Sequence, residues 1–149
     1  MLIEMRHSGI VTRDLEESLE FYTNVLGMHE VARGTLSQYD TLKFLGVVDC
    51  ELQYVKLGTQ SGQTLVEIYY FMDQKFREFQ EQQEEEDYYE RYDFHHMAFT
   101  VDNVQKVFDK LVELEYETIC SPSIDEQCKH SLFFAYDPDG NLIEFVEVL

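Results

Sequence analysis

The 149-residue sequence predicts an α+β fold made of two paired βαβββ modules. Three observations predict it. The chain repeats itself: His7-Ser8-Gly9-Ile10-Val11-Thr12, followed by Asp14-Leu15, returns at an offset of 89 as His96-Met97-Ala98-Phe99-Thr100-Val101, followed by Asn103-Val104. Each opening runs into one amphipathic helical stretch. Each unit then closes on a similar apolar strand, Thr64–Tyr69 in the first and Asn141–Val146 in the second. A repeat of this kind sets the architecture ahead of any local assignment.

The elements follow in order. His7–Thr12 reads as a strand. Asp14 caps the first helix, with Glu17 three residues on as its capping-box partner. Leu15, Leu19, Tyr22 and Leu26 fall at helical spacing, and Gly27 ends the run. Two strand-like runs follow, around Glu30–Arg33 and Glu51–Leu57, the second with polar/apolar alternation. In the second unit Asp102 or Asn103 caps a helix whose stripe is Val104, Val107, Phe108 and Leu111. Strand-like runs lie around Glu117–Cys120 and His130–Ala135. Asp137-Pro138-Asp139-Gly140 is a strong turn signal before the last strand. Both helical stripes read as core-packing faces.

The expected division is module one at 1–72, a connecting segment at 73–93 and module two at 94–149, all in one domain. The connecting segment carries nine acidic and three basic residues, interleaved with Phe76, Phe79, Tyr88, Tyr89 and Tyr92. Its first half is rich in good helix formers without Gly or Pro. It reads as a solvated connecting helix, or else as a lid or pocket wall.

Composition excludes several classes of function. The 30 acidic and 11 basic residues give a net charge of −19, which disfavours nucleic acid and anionic membrane surfaces. The simplest meaning of this charge is a well-solvated surface; a high-salt habitat and an acidic docking surface are the sharper alternatives. No apolar run approaches the roughly 20 residues of a membrane helix. Met1–Arg6 lacks the layout of a signal peptide, and the expected compartment is the cytoplasm. Cys50, Cys120 and Cys128 match no zinc or redox spacing and read as free thiols.

Four residues carry the chemistry: His7, Glu67, His96 and Glu144. Taken singly, a strand His is commonly a hydrogen-bonded structural residue, and a Glu in a strand an exposed edge charge. Two features set these apart. Leu65, Val66, Ile68 and Tyr69 flank Glu67, and Leu142, Ile143, Phe145 and Val146 flank Glu144, so both carboxylates are expected in buried strands. A buried carboxylate needs a partner or a metal. The same His-then-Glu pair also stands in both halves, and a pseudo-twofold would bring all four side chains to the axis. Two imidazoles and two carboxylates suit one divalent ion: Ni, Co, Zn, Mn or Fe(II). An octahedral ion would keep two positions open for water or a small-molecule substrate.

The chain resembles the vicinal oxygen chelate superfamily, which includes glyoxalase I, methylmalonyl-CoA epimerase, extradiol dioxygenases, fosfomycin-resistance enzymes and bleomycin-resistance proteins. The resemblance rests on His7–Val11, Asp14–Tyr22, Val25–Met28, His95–Val101 and Asp137–Glu144, and covers nearly the whole chain. It implies open sheets curled around a shared metal cavity, a homodimer, and metal positions at His7, Glu67, His96 and Glu144. The extradiol and fosfomycin enzymes typically use two His and one Glu, so Glu67 points away from them. The phrases Phe21–Met28 and Asp137–Glu144 look like bacterial glyoxalase I, and His95–Ala98 more like the epimerase. The implied function is a lactoylglutathione lyase-like isomerase or lyase that moves a proton next to a metal-bound carbonyl. Glu144 is the implied base, with Glu67 able to share that role. An epimerase-like enzyme and a non-catalytic ligand-binding protein are the alternatives, and a fosfomycin-type or other metal-dependent transferase or hydrolase is a third. Val11 stands where bacterial glyoxalase I carries the Arg that holds glutathione's carboxylate.

Overall fold

The computed structural model describes residues 5–39, 41, 50–60, 63–73, 96–125 and 129–149. The chain divides into two compact units, Met1–Glu85 and Glu86–Leu149. Each contains one four-stranded sheet and one helical run in βαβββ order.

In the first unit β1 (Ser8–Val11) leads into α1 (Leu15–Leu19), then β2 (His29–Leu36), β3 (Leu52–Gly58) and β4 (Thr64–Phe71). The sheet order is β1-β4-β3-β2, with β1 parallel to β4 and the other pairs antiparallel. Asp14 caps α1 as expected: its carboxylate accepts from the backbone N–H groups of Glu16 and Glu17 at 3.0 and 3.1 Å. Thr12 joins strand to helix. Its N–H donates to the Tyr69 carbonyl, and its hydroxyl lies 2.7 Å from that of the buried Ser18.

The helix departs from the sequence expectation after Leu19. Over Glu20–Val25 it winds as a π-helix, and Leu26 N–H donates to the carbonyl five residues back, Phe21, at 3.1 Å. The wider turn rotates the buried face. Leu15, Ser18, Phe21, Tyr22 and Val25 are buried, while Leu19 and Leu26 of the predicted stripe are only half-buried. Gly27 then takes φ +73°, the left-handed geometry that ends the helix without a Cβ clash.

Alternation along the strands splits the first sheet into two faces. Ile10, Val55, Leu57, Val66 and Ile68 share one face and are buried. The other face holds Gly9, Leu52, Tyr54, Lys56, Glu67, Tyr69 and Phe71. At one end of that face Cys50, Leu52 and Phe71 form a small apolar cluster against Leu36, Tyr54 and Tyr69.

The second unit repeats this plan with β5 (Met97–Thr100), α2 (Val104–Glu113), β6 (Ser123–Ile124), β7 (His130–Tyr136) and β8 (Leu142–Val148), in sheet order β5-β8-β7-β6. Of the two predicted caps it is Asn103 that serves, accepting from Lys106 N–H at 2.8 Å. Glu147 adds its carboxylate to the same helix N-terminus through Val104 N–H, at 2.8 Å. Ile143, Phe145, Phe133 and Ala135 share one buried face with α2's Val104 and Leu111 nearby in the core. The strand expected around Glu117–Cys120 is reduced to a single bridge, Thr118 with Ala135, and the ladder forms instead at Ser123–Ile124. Beyond Asp73, the acidic connecting segment lies outside the described residues, as does Cys128. Cys50 and Cys120 are free thiols, and no helix among the described residues is long and apolar enough to cross a membrane.

Two polar centres fix the β7 ends. Asp137, 4% exposed, accepts from Asp139 N–H, Asn141 N–H and the Asn141 side-chain amide at 2.7–3.0 Å, which sets the turn into β8. Asp125 accepts from Lys129 N–H at 2.9 Å and lies 2.8 Å from His130 Nδ1. The Lys129 backbone bond, then His130, hold its pKa below the ordinary value. A depressed carboxyl pKa contributes stability above the ordinary range that is lost as pH falls through the lowered value.

Asp137→Ala leaves those donors stranded and should lower the free energy of unfolding by about 1–3 kcal/mol in a denaturant titration. In a carboxyl NMR titration Asp125 should titrate below 3.8, its ordinary value. His130→Gln should restore it only in part, because the Lys129 backbone bond remains.

Candidate functional site

The parallel ladders place the candidate residues. In the first sheet Gly9 pairs with Glu67, and in the second Ala98 pairs with Glu144. Gly9 and Ala98 each follow their His by two residues, so each His lies on the same face as its Glu, one step along. Both units thus build the same pair from the same register. His7 Nε2 lies 2.6 Å from Glu67 Oε2, and His96 Nε2 lies 3.2 Å from Glu144 Oε2.

The two pairs differ in burial. The Glu67 side chain is 7% exposed and that of Glu144 20%. His7 Nδ1 is buried and has no hydrogen-bond partner, an uncommon state for a ring nitrogen.

The donor chemistry of each pair fits half of a four-ligand divalent site. Two ligands at about 2.1 Å and right angles on one ion stand roughly 3 Å apart; the observed 2.6 and 3.2 Å bracket that value. One imidazole nitrogen and one carboxylate oxygen per pair also match the mixed preference of the later first-row metals. Among the described residues no three His, Cys, Asp or Glu side chains gather in reach of one ion. Within its own unit each half therefore brings together its pair, His7 with Glu67 and His96 with Glu144. His95 lies outside the described residues.

Sequence reasoning missed the groups that stand across from the two carboxylates. In the first sheet Lys56 pairs with Glu67, and its Nζ lies 3.4 Å from Glu67 Oε1. Tyr69 donates its hydroxyl to Glu67 Oε2 at 3.3 Å. Burial, then the Glu67 charge, push the Tyr69 phenol above its ordinary pKa. In the second sheet the position equivalent to Lys56 is Phe134, whose ring meets that of His96 edge-to-face at 5.5 Å. Tyr69 and its partner Tyr54 have Val146 and Leu132 as counterparts. One half is polar around its carboxylate and the other apolar. The signal for Lys56 was present in the alternation of Glu51–Lys56. The connection between β3 and β4 left the pairing open by a residue or more, and one residue of slip exchanges the faces.

The sequence profile of the Glyoxalase/Bleomycin resistance protein/Dioxygenase superfamily matches residues 4–145. The chain belongs to this superfamily. Within it the chain is 28% identical over 143 residues to the metallothiol transferase FosB of Lysinibacillus sphaericus, covering 95% of this chain and 79% of that protein. It is 25% identical over 149 residues to a lactoylglutathione lyase of Neisseria meningitidis, covering 97% and 91%. In structure it is similar to a glyoxalase family protein from Bacillus cereus, with TM-score 0.80, 16% identity, and coverage of 100% and 96%. It is also similar to the trypanothione-dependent glyoxalase I of Leishmania major, with TM-score 0.65, 22% identity, and coverage of 98% and 87%. At these identities the solved structures establish the superfamily fold alone.

Gly34 is part of the site's support. A Cβ there would lie 2.5 Å from the hydroxyl of Tyr54, whose ring crosses the neighbouring strand at that point. Gly34→Ala should displace the Tyr54 ring and lower Tm by a few degrees, about the effect of 1 kcal/mol in a chain of this size, as read by thermal unfolding.

Proposed function

We propose that this protein is a divalent-metal-dependent isomerase or lyase of the lactoylglutathione lyase type, in which His7, Glu67, His96 and Glu144 hold one ion. The ligand set is completed within one chain or across two chains of a homodimer. The protein acts on a small carbonyl compound in the cytoplasm. The observation that supports this reading is the duplicated His–Glu pair, placed by the same ladder register in both units. A fold that repeats a structural carboxylate has no need to repeat the imidazole beside it.

When bound, the ion supplies Lewis acidity at a substrate carbonyl, which acidifies the neighbouring C–H. The chain's own residues handle the proton. Glu144 serves as the base: its polar partner among the described residues is His96, its cross-strand neighbour is the Phe134 ring, and its side chain is 20% exposed. Glu144 takes the proton from one carbon. It returns the proton to the neighbouring carbon in an isomerisation; an epimerisation would need a second acid on the opposite face of the carbon, the role open to Glu67. Glu67 is held by His7, Lys56 and Tyr69, so it serves as an anchor more than as a base. Phe134, Val146 and Leu132 line the sheet face around Glu144 with apolar side chains.

A second reading draws on one specific observation. The ion pair between Lys56 and Glu67 leaves His7, His96 and Glu144 as a two-His, one-Glu set. The relative at 28% identity is a metallothiol transferase. On this reading the reaction is thiol transfer, and Glu67 is structural.

Elemental mass spectrometry on untagged protein purified without chelators should find about one transition-metal ion per chain. His96→Ala and Glu144→Ala should lower that occupancy sharply while the fold persists; full occupancy in both would overturn the ligand assignment. Glu144→Gln should cost about 100-fold or more in turnover of a hemithioacetal or an acyl-CoA epimer, and far less in metal content. Metal content unchanged in Glu67→Gln would favour the thiol-transfer reading. Protein that neither carries nor takes up Ni, Co or Zn would point to a ligand-binding protein without catalysis.

A further inference from the structure

Lys56 belongs to no ligand set, yet its ammonium stands on a candidate ligand. Its Nζ lies 3.4 Å from Glu67 Oε1 and 5.3 Å from the centroid of the Tyr54 ring. Both are attractive contacts for a cation. Tyr54 can take this position because residue 34 is Gly, leaving the space its ring fills. Among the described residues Lys56 is the only lysine or arginine that strand alternation places on this face of the first sheet, beside the His7 imidazole that also faces Glu67. Glu67 is 5% exposed, and a carboxylate so buried requires a neighbouring positive charge or several donors. In the second unit the equivalent position is Phe134, and Glu144 is more open to water. One half of the duplicated arrangement thus sets a lysine across from its carboxylate, and the other sets a phenylalanine there.

We infer that Lys56 is the resident counter-ion of Glu67 and competes with the divalent ion for that carboxylate. The inference rests on the reading of Glu67 as a ligand. In the metal-free protein the ammonium neutralises Glu67 and stabilises the fold. With Glu67 as a ligand, the Lys56 ammonium beside it would act as a like charge toward a bound divalent ion and weaken its binding. Removing the ammonium therefore has opposite effects on the two states. It destabilises the metal-free fold, where Glu67 loses its counter-charge, and it tightens the metal complex. A residue with only a packing role would not move the two in opposite directions.

The test uses the full chain, with Ni²⁺ alone as the probe. Ni²⁺ affinity is measured by competition with a chromophoric chelator, and Tm is measured with and without the ion. Lys56→Met should lower the Tm of the metal-free protein, lower the Kd for Ni²⁺ about tenfold or more, and widen the Tm gain on loading. Lys56→Arg should keep the wild-type pattern. Phe134→Lys, which places an ammonium beside Glu144, should weaken Ni²⁺ binding; it tests the same competition should Lys56→Met fail to fold. Equal or weaker Ni²⁺ binding in Lys56→Met, while Glu67→Gln loses affinity, overturns the competition and leaves the ligand assignment standing. Ni²⁺ binding unchanged in Glu67→Gln overturns the assignment of Glu67 as a ligand, and the inference with it.

Discussion

A carboxylate inside an apolar strand must be matched by positive charge or by donors, and the first unit is arranged around meeting that demand at Glu67. Val66 and Ile68 on either side belong to the helix-packed face of the sheet and are fully buried, which commits the strand to the interior. Alternation then turns Glu67 to the opposite face. There a parallel neighbour brings His7, an antiparallel neighbour brings Lys56, and the next residue on the same face brings Tyr69. Any one of these contacts, if solvated, would contribute little. They act together because desolvation of Glu67 makes each of them necessary.

The second unit solves a milder version of the problem. Glu144 keeps some access to water, takes His96 as its partner, and is otherwise edged by Phe134. The same backbone ladder stands twice in the chain, with different side chains around it. Two carboxylates at equivalent positions thus stand in unlike surroundings, polar at Glu67 and apolar at Glu144, and environment separates the behaviour of such groups where sequence position does not.

Much of this was legible in the sequence, for identifiable reasons. The repeat, the caps at Asp14 and Asn103, the Asp137–Gly140 turn and the flanking of both Glu residues by apolar side chains are local patterns, and local patterns survive folding. The π-turn at Glu20–Val25 was not legible, because Leu15, Leu19, Tyr22 and Leu26 satisfy an α-helical stripe while Ser18 and Phe21 take the buried places. The short strand at Ser123–Ile124 was hidden by the more β-like Glu117–Cys120, which tertiary pairing reduces to one bridge. The repeat pointed to a His and a Glu in each half meeting at one axis; that each His faces the Glu of its own sheet follows from the ladder register, which the repeat does not give. Lys56 was not expected, because its position depends on the register of an antiparallel pair whose connection the pattern does not fix.

The ladder that places His7 beside Glu67 has a consequence for how such a chain can change length over evolutionary time. His7 stands just before β1 and Gly9 within it, and the residues that separate β1 from β4 in sequence enter the site only through strand pairing. Residues added between β2 and β3, or between β4 and β5, leave both ladders intact, so those are the stretches where relatives are free to differ in size. One residue added between His7 and Ser8, or between Leu65 and Glu67, would instead turn an imidazole or a carboxylate to the wrong side of the sheet. Insertions are thus filtered by where they fall relative to four short strands, and the connecting segments are free to lengthen and diversify around a site whose spacing stays fixed.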